Sequence, residues 1–365
     1  MADRTAAAIR RASQQARLAM TQLADDAVAE LTRIYAEAAE QLRQLIGAAG
    51  GSAARVRLEQ LRALLAQVEQ VLDGLGRAGT ALVDAGLQRA AELGVRPLTA
   101  AGLAATGRTA EAVLDGAQAL RVVDSAVRFV QEFRDVNGLV LSDRLWRIDR
   151  GAREAVGRVI EQAVVQGWSA DKAAQALLLR GLPVPPATQA AQALAATGNV
   201  QRAAELLRDA NAGPLASSVQ VMRTELNRAH GEAYMAGAAQ APAVVGFRFL
   251  LSPRHPRPDI CDLLARQNLH GLGPGVYPTR ETTPWPAHPN TLSFVVAVFG
   301  DEVTDADRAG RETTLQALAR LSPELRAGVL GPTKADYFDR GLLSRGMVRA
   351  KVSAVQERLR RRGQG

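Results

Sequence analysis

The sequence predicts an α+β fold, mainly α. It has a long helical, coiled-coil-like N-terminal arm, a helical middle, and a small antiparallel β unit with a long loop near the C-terminus. Three observations lead there. Apolar residues in the first part of the chain recur every ~3.5 residues, the seam of paired helices. Hydrophobic residues make up 47% of the chain but aromatics only 4%; alanine dominates the remainder, which favours helices packed through small side chains. From residue 244 the pattern changes to short β-branched and aromatic runs.

Residues 3–46 read as one helix, with Ala24, Val28, Leu31, Tyr35, Ala38, Leu42 and Leu45 stepping by four and three. "GAAGGSAA" (47–54) interrupts it, and the same alternation resumes at Leu58, Leu61, Leu65, Val68, Leu72 and Leu75. Two seams around a glycine-rich break argue for a helical hairpin. A plain amphipathic helix on a larger core is the other reading. Residues 77–118 stay Ala- and Gly-rich and suit shorter helices, with a turn at Pro97.

Near residue 120 the texture changes. Ser142 or Asp143 can cap a helix presenting Leu145, Ile148, Ala152, Val156, Val159 and Ala163. A second helix is expected between Ser169 and Gly181, followed by a corner at "LPVPP" (182–186). From Ser217 or Ser218 a further helix carries Val219, Met222, Leu226, Ala229 and Ala233 on one face. Arg223, Asn227, His230 and Tyr234 line another, either a solvated face or a polar contact surface toward the next segment. "VVGFRFLLS" (244–252) and "LSFVVAVFG" (292–300) read as strands joined by a long loop. "LSPEL" offers a helix start at Pro323. The last stretch, "GMVRAKVSAVQERLRRRGQG", reads as a basic helix or as disordered, and as too poor in apolar residues to join a core.

The single Cys excludes an internal disulfide, and the charged N-terminus does not read as a signal peptide. No apolar run is long enough to span a bilayer, so no membrane partner is expected. Of the net charge of +8, most lies in residues 340–365, where eight basic side chains face one acid, Glu357. Arg345, Arg349, Lys351, Arg358, Arg360, Arg361 and Arg362 are the candidate DNA contacts, because guanidinium forks match phosphate.

Three of the four His (His255, His270, His288), the only Cys (Cys261) and Asp259 and Asp262 fall within the long loop. Loops on a rigid scaffold are where binding chemistry collects, and a long polar loop needs something to hold it. A mixed His/Cys/Asp set suits zinc. "GLGPGVYP" does not follow a strand and open a helix, so it is no phosphate-binding fingerprint. Nucleophile elbows are absent, and no small-molecule substrate is implied.

The run from about 125 to 300 resembles the phage Mu F-like head morphogenesis family, the minor head (minor capsid) proteins of tailed bacteriophages. "GLVLSDRLWR", "AVVQGWSADKAAQALL", "VMRTELNRAHGEAY", "DICDLLA" with "GLGPGVYP", and "PAHPN" appear in the family's order. The resemblance divides the chain into a helical arm (1–118), a head-morphogenesis domain (119–300) and a polar, basic tail (301–365). It implies a non-enzymatic virion protein of the phage head, associated with the portal and capsid proteins and with packaged double-stranded DNA. Many members carry C-x-x-C and then H-P-N-C-x-C in this loop. Here Cys261 and His288 match, while Leu264, Thr291 and Ser293 depart. No three- or four-thiolate cage can form in one chain. His255, Cys261, Asp262 and His288 remain as candidate ligands for one structural zinc, with His270 in reserve; the alternative is a decayed site held by proline, tryptophan and hydrogen bonds.

Two rivals come from other classes. A metal-dependent nuclease of the His-Asn-His type would use "HPRPD", "RQNLH" and "AHPN", but needs a metal-binding helix after the last of these. A nucleoid-associated protein would fit the basic tail alone.

Overall fold

The computed structural model describes residues 2–49, 58–107, 110–135, 137–165, 214–289, 291 and 293–363. The expected break at 47–54 falls largely outside them. So do the helix of 169–181, the corner at 182–186 and Asn290 of the H-P-N segment. The fold class is as the sequence predicts: mainly helical, with a long N-terminal helix and a small antiparallel sheet late in the chain. The first helices are α1 (Ala2–Ala49), α2 (Leu58–Val95), α3 (Ala100–Ala104), α4 (Gly116–Glu132), α5 (Leu141–Val165) and α6 (Pro214–Ala238). Then come β1 (Val244–Leu250), α7 (Ile260–Arg266), β2 (Val276–Tyr277) and β3 (Phe294–Phe299). Short helices complete the chain: α8 (Asp305–Ala309), α9 (Thr314–Ala319), α10 (Pro323–Leu330), α11 (Pro332–Asp339) and α12 (Val352–Arg361). No helix among the described residues is long and apolar enough to cross a membrane.

Contacts group the chain into two units that interleave along the sequence. One holds residues 1–18, 91–126 and 230–365; the other holds 19–90 and 127–229. The sequence reading drew three consecutive domains instead.

The second unit is all helical. Val28 and Leu31 of α1 are buried against Val219, with Tyr35, Leu82 and Leu215 packed around them. Val68 and Leu72 of the second seam are also buried. Arg153 clasps α5 to α2, bonding Glu69 and Asp73 as well as its own neighbour Asp149. Ala152 and Val156 are buried as expected, but α5 starts earlier than the expected cap, and Asp143 accepts from Val140 N at 3.2 Å. Glu225 of α6 is fully buried between Arg144 at 2.7 Å and Arg228 at 2.9 Å. Arg228 also lies 3.7 Å over the ring of Phe133. Paired this way, a charge can persist without water.

In the first unit the sheet order is β2-β1-β3, antiparallel throughout. β1 and β3 pair from Val244 with Phe299 to Leu250 with Phe294, because each is a β-branched or aromatic run ended by polar or Gly residues. Tyr234 is buried, and its hydroxyl accepts from Ala297 N of β3 at 3.0 Å and lies 3.2 Å from Ser13 Oγ. At Tyr234 the second face of α6 is therefore a contact surface.

The tail corrects an expectation. Leu343, Met347, Val348, Val355 and Leu359 are buried in one cluster with Leu263, Leu318 and Leu330. The last stretch is a helix, and Val355 and Leu359, one turn apart, turn its apolar edge inward. Lys334 Nζ donates to Val348 O at 2.7 Å and Ala350 O at 3.3 Å, fixing the turn before it. The basic segment is part of the core, not an appendage.

Candidate metal centre

The loop between β1 and β3 is held by hydrogen bonds within itself and to Asp307 beyond β3. Gln267 Nε2 donates to the Tyr277 hydroxyl at 2.7 Å, which in turn donates to Leu264 O at 2.9 Å. Asn268 Nδ2 donates to Asp307 O at 2.7 Å while its Oδ1 accepts from Gly273 N at 3.2 Å. Trp285 is buried edge-on to Phe249, with ring centroids 6.0 Å apart. Gly275 has φ +70°, and a Cβ there would lie 2.7 Å from Ala265 O and 2.9 Å from Phe249 O. The glycine-rich turn is thus a backbone crossing that only glycine fits.

Within this frame, α7 carries the chemistry. Its N-cap, Asp259, accepts from Cys261 N at 2.7 Å, and Asp259 N donates to Asp262 Oδ2 at 3.0 Å, a reciprocal cap. His255 Nε2 lies 2.9 Å from the same Asp262 oxygen and 3.8 Å from Asp259 Oδ1. Across the loop, His288 Nε2 sits 3.2 Å from Cys261 Sγ and 3.1 Å from Asp259 Oδ2. Its Nδ1 faces Pro289 O at 2.7 Å. An Nδ1–H donated to that carbonyl leaves Nε2 directed at the thiol and the carboxylate, as a metal-binding imidazole requires.

The electrostatics follow from these contacts. The Asp259 hydrogen bond, then the one to Cys261, pushes the His288 imidazole up to about 10 against a smaller burial effect. Burial pushes the Asp259 carboxyl up, but bonds from His288 and Cys261 outweigh it and bring it down to about 2. These shifts favour an imidazolium and a carboxylate beside the buried Cys261 sulfur.

The sequence set of His255, Cys261, Asp262 and His288 does not form one group. Two triads meet at Asp259: Asp259 with Cys261 and His288, and Asp259 with His255 and Asp262, each with donor atoms within 4.8 Å of one another. Asp259, which the sequence reading left out of its ligand set, is the shared member. Its signal was present in "DICD", the spacing of a capping box before an apolar run. The first triad fits zinc. Its donors are of the right kind, and the two separations to His288, 3.2 and 3.1 Å, approach the ~3.5 Å edge of a tetrahedron with zinc–ligand bonds of about 2.0–2.3 Å. Three ligands leave a fourth position; Thr291 Oγ1 lies 3.6 Å from Cys261 Sγ. His270 joins neither triad and instead meets Tyr277 edge-on at 5.8 Å. Leu264, Thr291 and Ser293, where the resembled family has thiolates, are all buried.

The candidate DNA contacts are all exposed. Arg360 and Arg361 are held by Glu357 at 3.1 and 2.9 Å. Arg349 donates to Ala287 O at 2.9 Å, joining the basic segment to the loop. Comparisons with protein-family models, with curated proteins and with solved structures find no match to this chain.

Proposed function

We propose that this chain is a minor structural protein of a tailed-phage or prophage head, acting in head morphogenesis near the portal. One observation carries most of the reading. Two of the segments that bear the resemblance, "DICDLLA" and "PAHPN", meet through Cys261 and His288, 3.2 Å apart on the loop between paired strands. A long helical arm suits docking on another helical assembly, and nothing in this role requires turnover. The Asp259–Cys261–His288 triad is proposed as a structural zinc site that ties the loop to its closing segment; a bound zinc would supply a cross-link there.

The His-Asn-His nuclease has less support. Phe294 opens a strand soon after His288, where that mechanism needs a helix. The test asks first whether neighbouring genes encode a portal and a capsid protein, and then co-expresses the full chain with them. Recovery of the chain with portal rings and in heads supports the role. Heads that assemble normally without it, together with failure to bind portal rings, would refute it. Metal-dependent plasmid nicking lost on His288→Ala would favour the nuclease.

A further inference from the structure

Apart from the buried Lys334, which donates to backbone carbonyls, the cations of the C-terminal segment divide into two classes. Arg308, Arg320, Arg326, Arg340, Arg360 and Arg361 are each paired with a carboxylate. Arg311, Arg345, Arg349, Lys351 and Arg358 make no ion pair among the described residues, and all five are exposed; the same holds of Arg362. Two of the five are held through carbonyl oxygens, which fix a guanidinium without neutralising it. Arg311 Nε donates to Leu269 O at 3.2 Å, and Arg349 Nη2 to Ala287 O at 2.9 Å.

The four arginines are neighbours, and Lys351 follows Arg349 by two residues. The carbonyl that holds Arg311 precedes His270, whose pKa is lowered by burial first and then by Arg311 and Arg345, with no carboxylate opposing. Tyr277, edge-on to His270, lies in the field of Arg349. Arg358 Nη1 is 3.9 Å from where a Cβ on Gly346 would sit, beside Arg345. The supporting backbone is rigid, because Met347, Val355 and Leu359 are fully buried beneath it.

We propose that Arg311, Arg345, Arg349, Lys351 and Arg358 form one fixed phosphate-binding face that grips the backbone of double-stranded DNA. Uncompensated guanidinium groups on a fixed surface suit repeated phosphates, since backbone contacts need no sequence. Single strands are disfavoured because they call for exposed aromatic platforms. Of the large exposed apolar side chains described, only Val352 lies on this segment. That also leaves too little to enter a lipid surface. The face differs from the basic tail read in the sequence: it gains Arg311 and leaves out Arg360, Arg361 and Arg362. It deepens the DNA contact of the proposed head protein and rests on that reading only for which DNA is bound.

The test uses the full chain and a short fluorescent duplex, with affinity followed against salt. Arg311→Gln should lower the log–log slope by about 0.9, and Arg345→Gln with Arg358→Gln by about 1.8. Arg360→Gln with Arg361→Gln should leave it nearly unchanged. Unaltered melting temperatures confirm that the exposed substitutions leave folding intact. The proposal is overturned if Arg311→Gln keeps the wild-type slope, or if the Arg360/Arg361 pair loses as much as the Arg345/Arg358 pair. Tighter binding to single strands than to duplex also overturns it. If the intact chain binds portal rings but no DNA, the face is wrong and the head role survives. If it binds DNA as described but never portal, the face survives and the head role falls.

Discussion

His230 has a ring Nε2 sealed from solvent with no hydrogen-bond partner among the described residues, and burial pulls its pKa down to about 4. In the unfolded chain the same group titrates near 6.5. Between those values the unfolded state binds more protons, so stability falls as pH drops from about 6.5 to 4 and recovers as pH rises. His230→Leu should flatten this acid limb. Equal melting-temperature losses in wild type and variant between neutral and mildly acid buffer would show that His230 is not responsible. Zinc is the second matter at this scale. Protein prepared without chelator should carry about one zinc per chain. Cys261→Ser and His288→Ala should each lose the metal, as should Asp259→Asn, which keeps an N-cap acceptor but loses the charge; full zinc retention by the Asp259 variant would remove it from the ligand set. Cys261, His255 and His288 were legible because rare residue types crowd one window. Asp259 was visible in the same window and in the "DICD" capping spacing, but its place as the shared ligand depends on where α7 begins.

Periodicity carried well at the scale of elements. Val219, Met222, Leu226, Ala229 and Ala233 are all buried as the stripe on α6 required, and β1 and β3 lie within the two apolar runs. β2 escaped because Val276 and Tyr277 are two residues, too few for any period to register. The C-terminal segment was misread for another reason. Its apolar residues are diluted among arginines, so composition outweighed the one-turn spacing of Val355 and Leu359. The consequence is measurable. Leu359→Ala should cost about 2–5 kcal/mol in chemical denaturation, as for a buried leucine in a packed core. A cost below about 0.5 kcal/mol, the usual surface value, would restore the tail to the status of an appendage. On α6, Tyr234→Phe leaves Ala297 N buried without its acceptor and should cost about 1–3 kcal/mol. An unchanged denaturation midpoint would mean that water replaces the hydroxyl.

For the whole molecule, the sequence suggested consecutive domains because local pattern is silent about which distant segments meet. The first unit instead joins residues 1–18 to segments that begin at residues 91 and 230. Ile9 is buried there, Arg10 pairs with Glu302, Arg17 lies 4.0 Å over the Phe294 ring, and Ser13 meets Tyr234. A chain emerging from the ribosome makes residue 9 first and Glu302 nearly three hundred residues later. At about 5–20 residues per second, that delay is roughly 15–60 s. Through that interval Arg10, Ser13 and Arg17 of α1 lack their partners Glu302, Tyr234 and Phe294, which invites a holding chaperone or pairing with a neighbouring nascent chain. Stalled ribosomes bearing chains cut before residue 290 should therefore leave the arm open to protease, while chains extended well past residue 302 should protect it. Equal cleavage of the arm in both would mean that it is sheltered without the sheet.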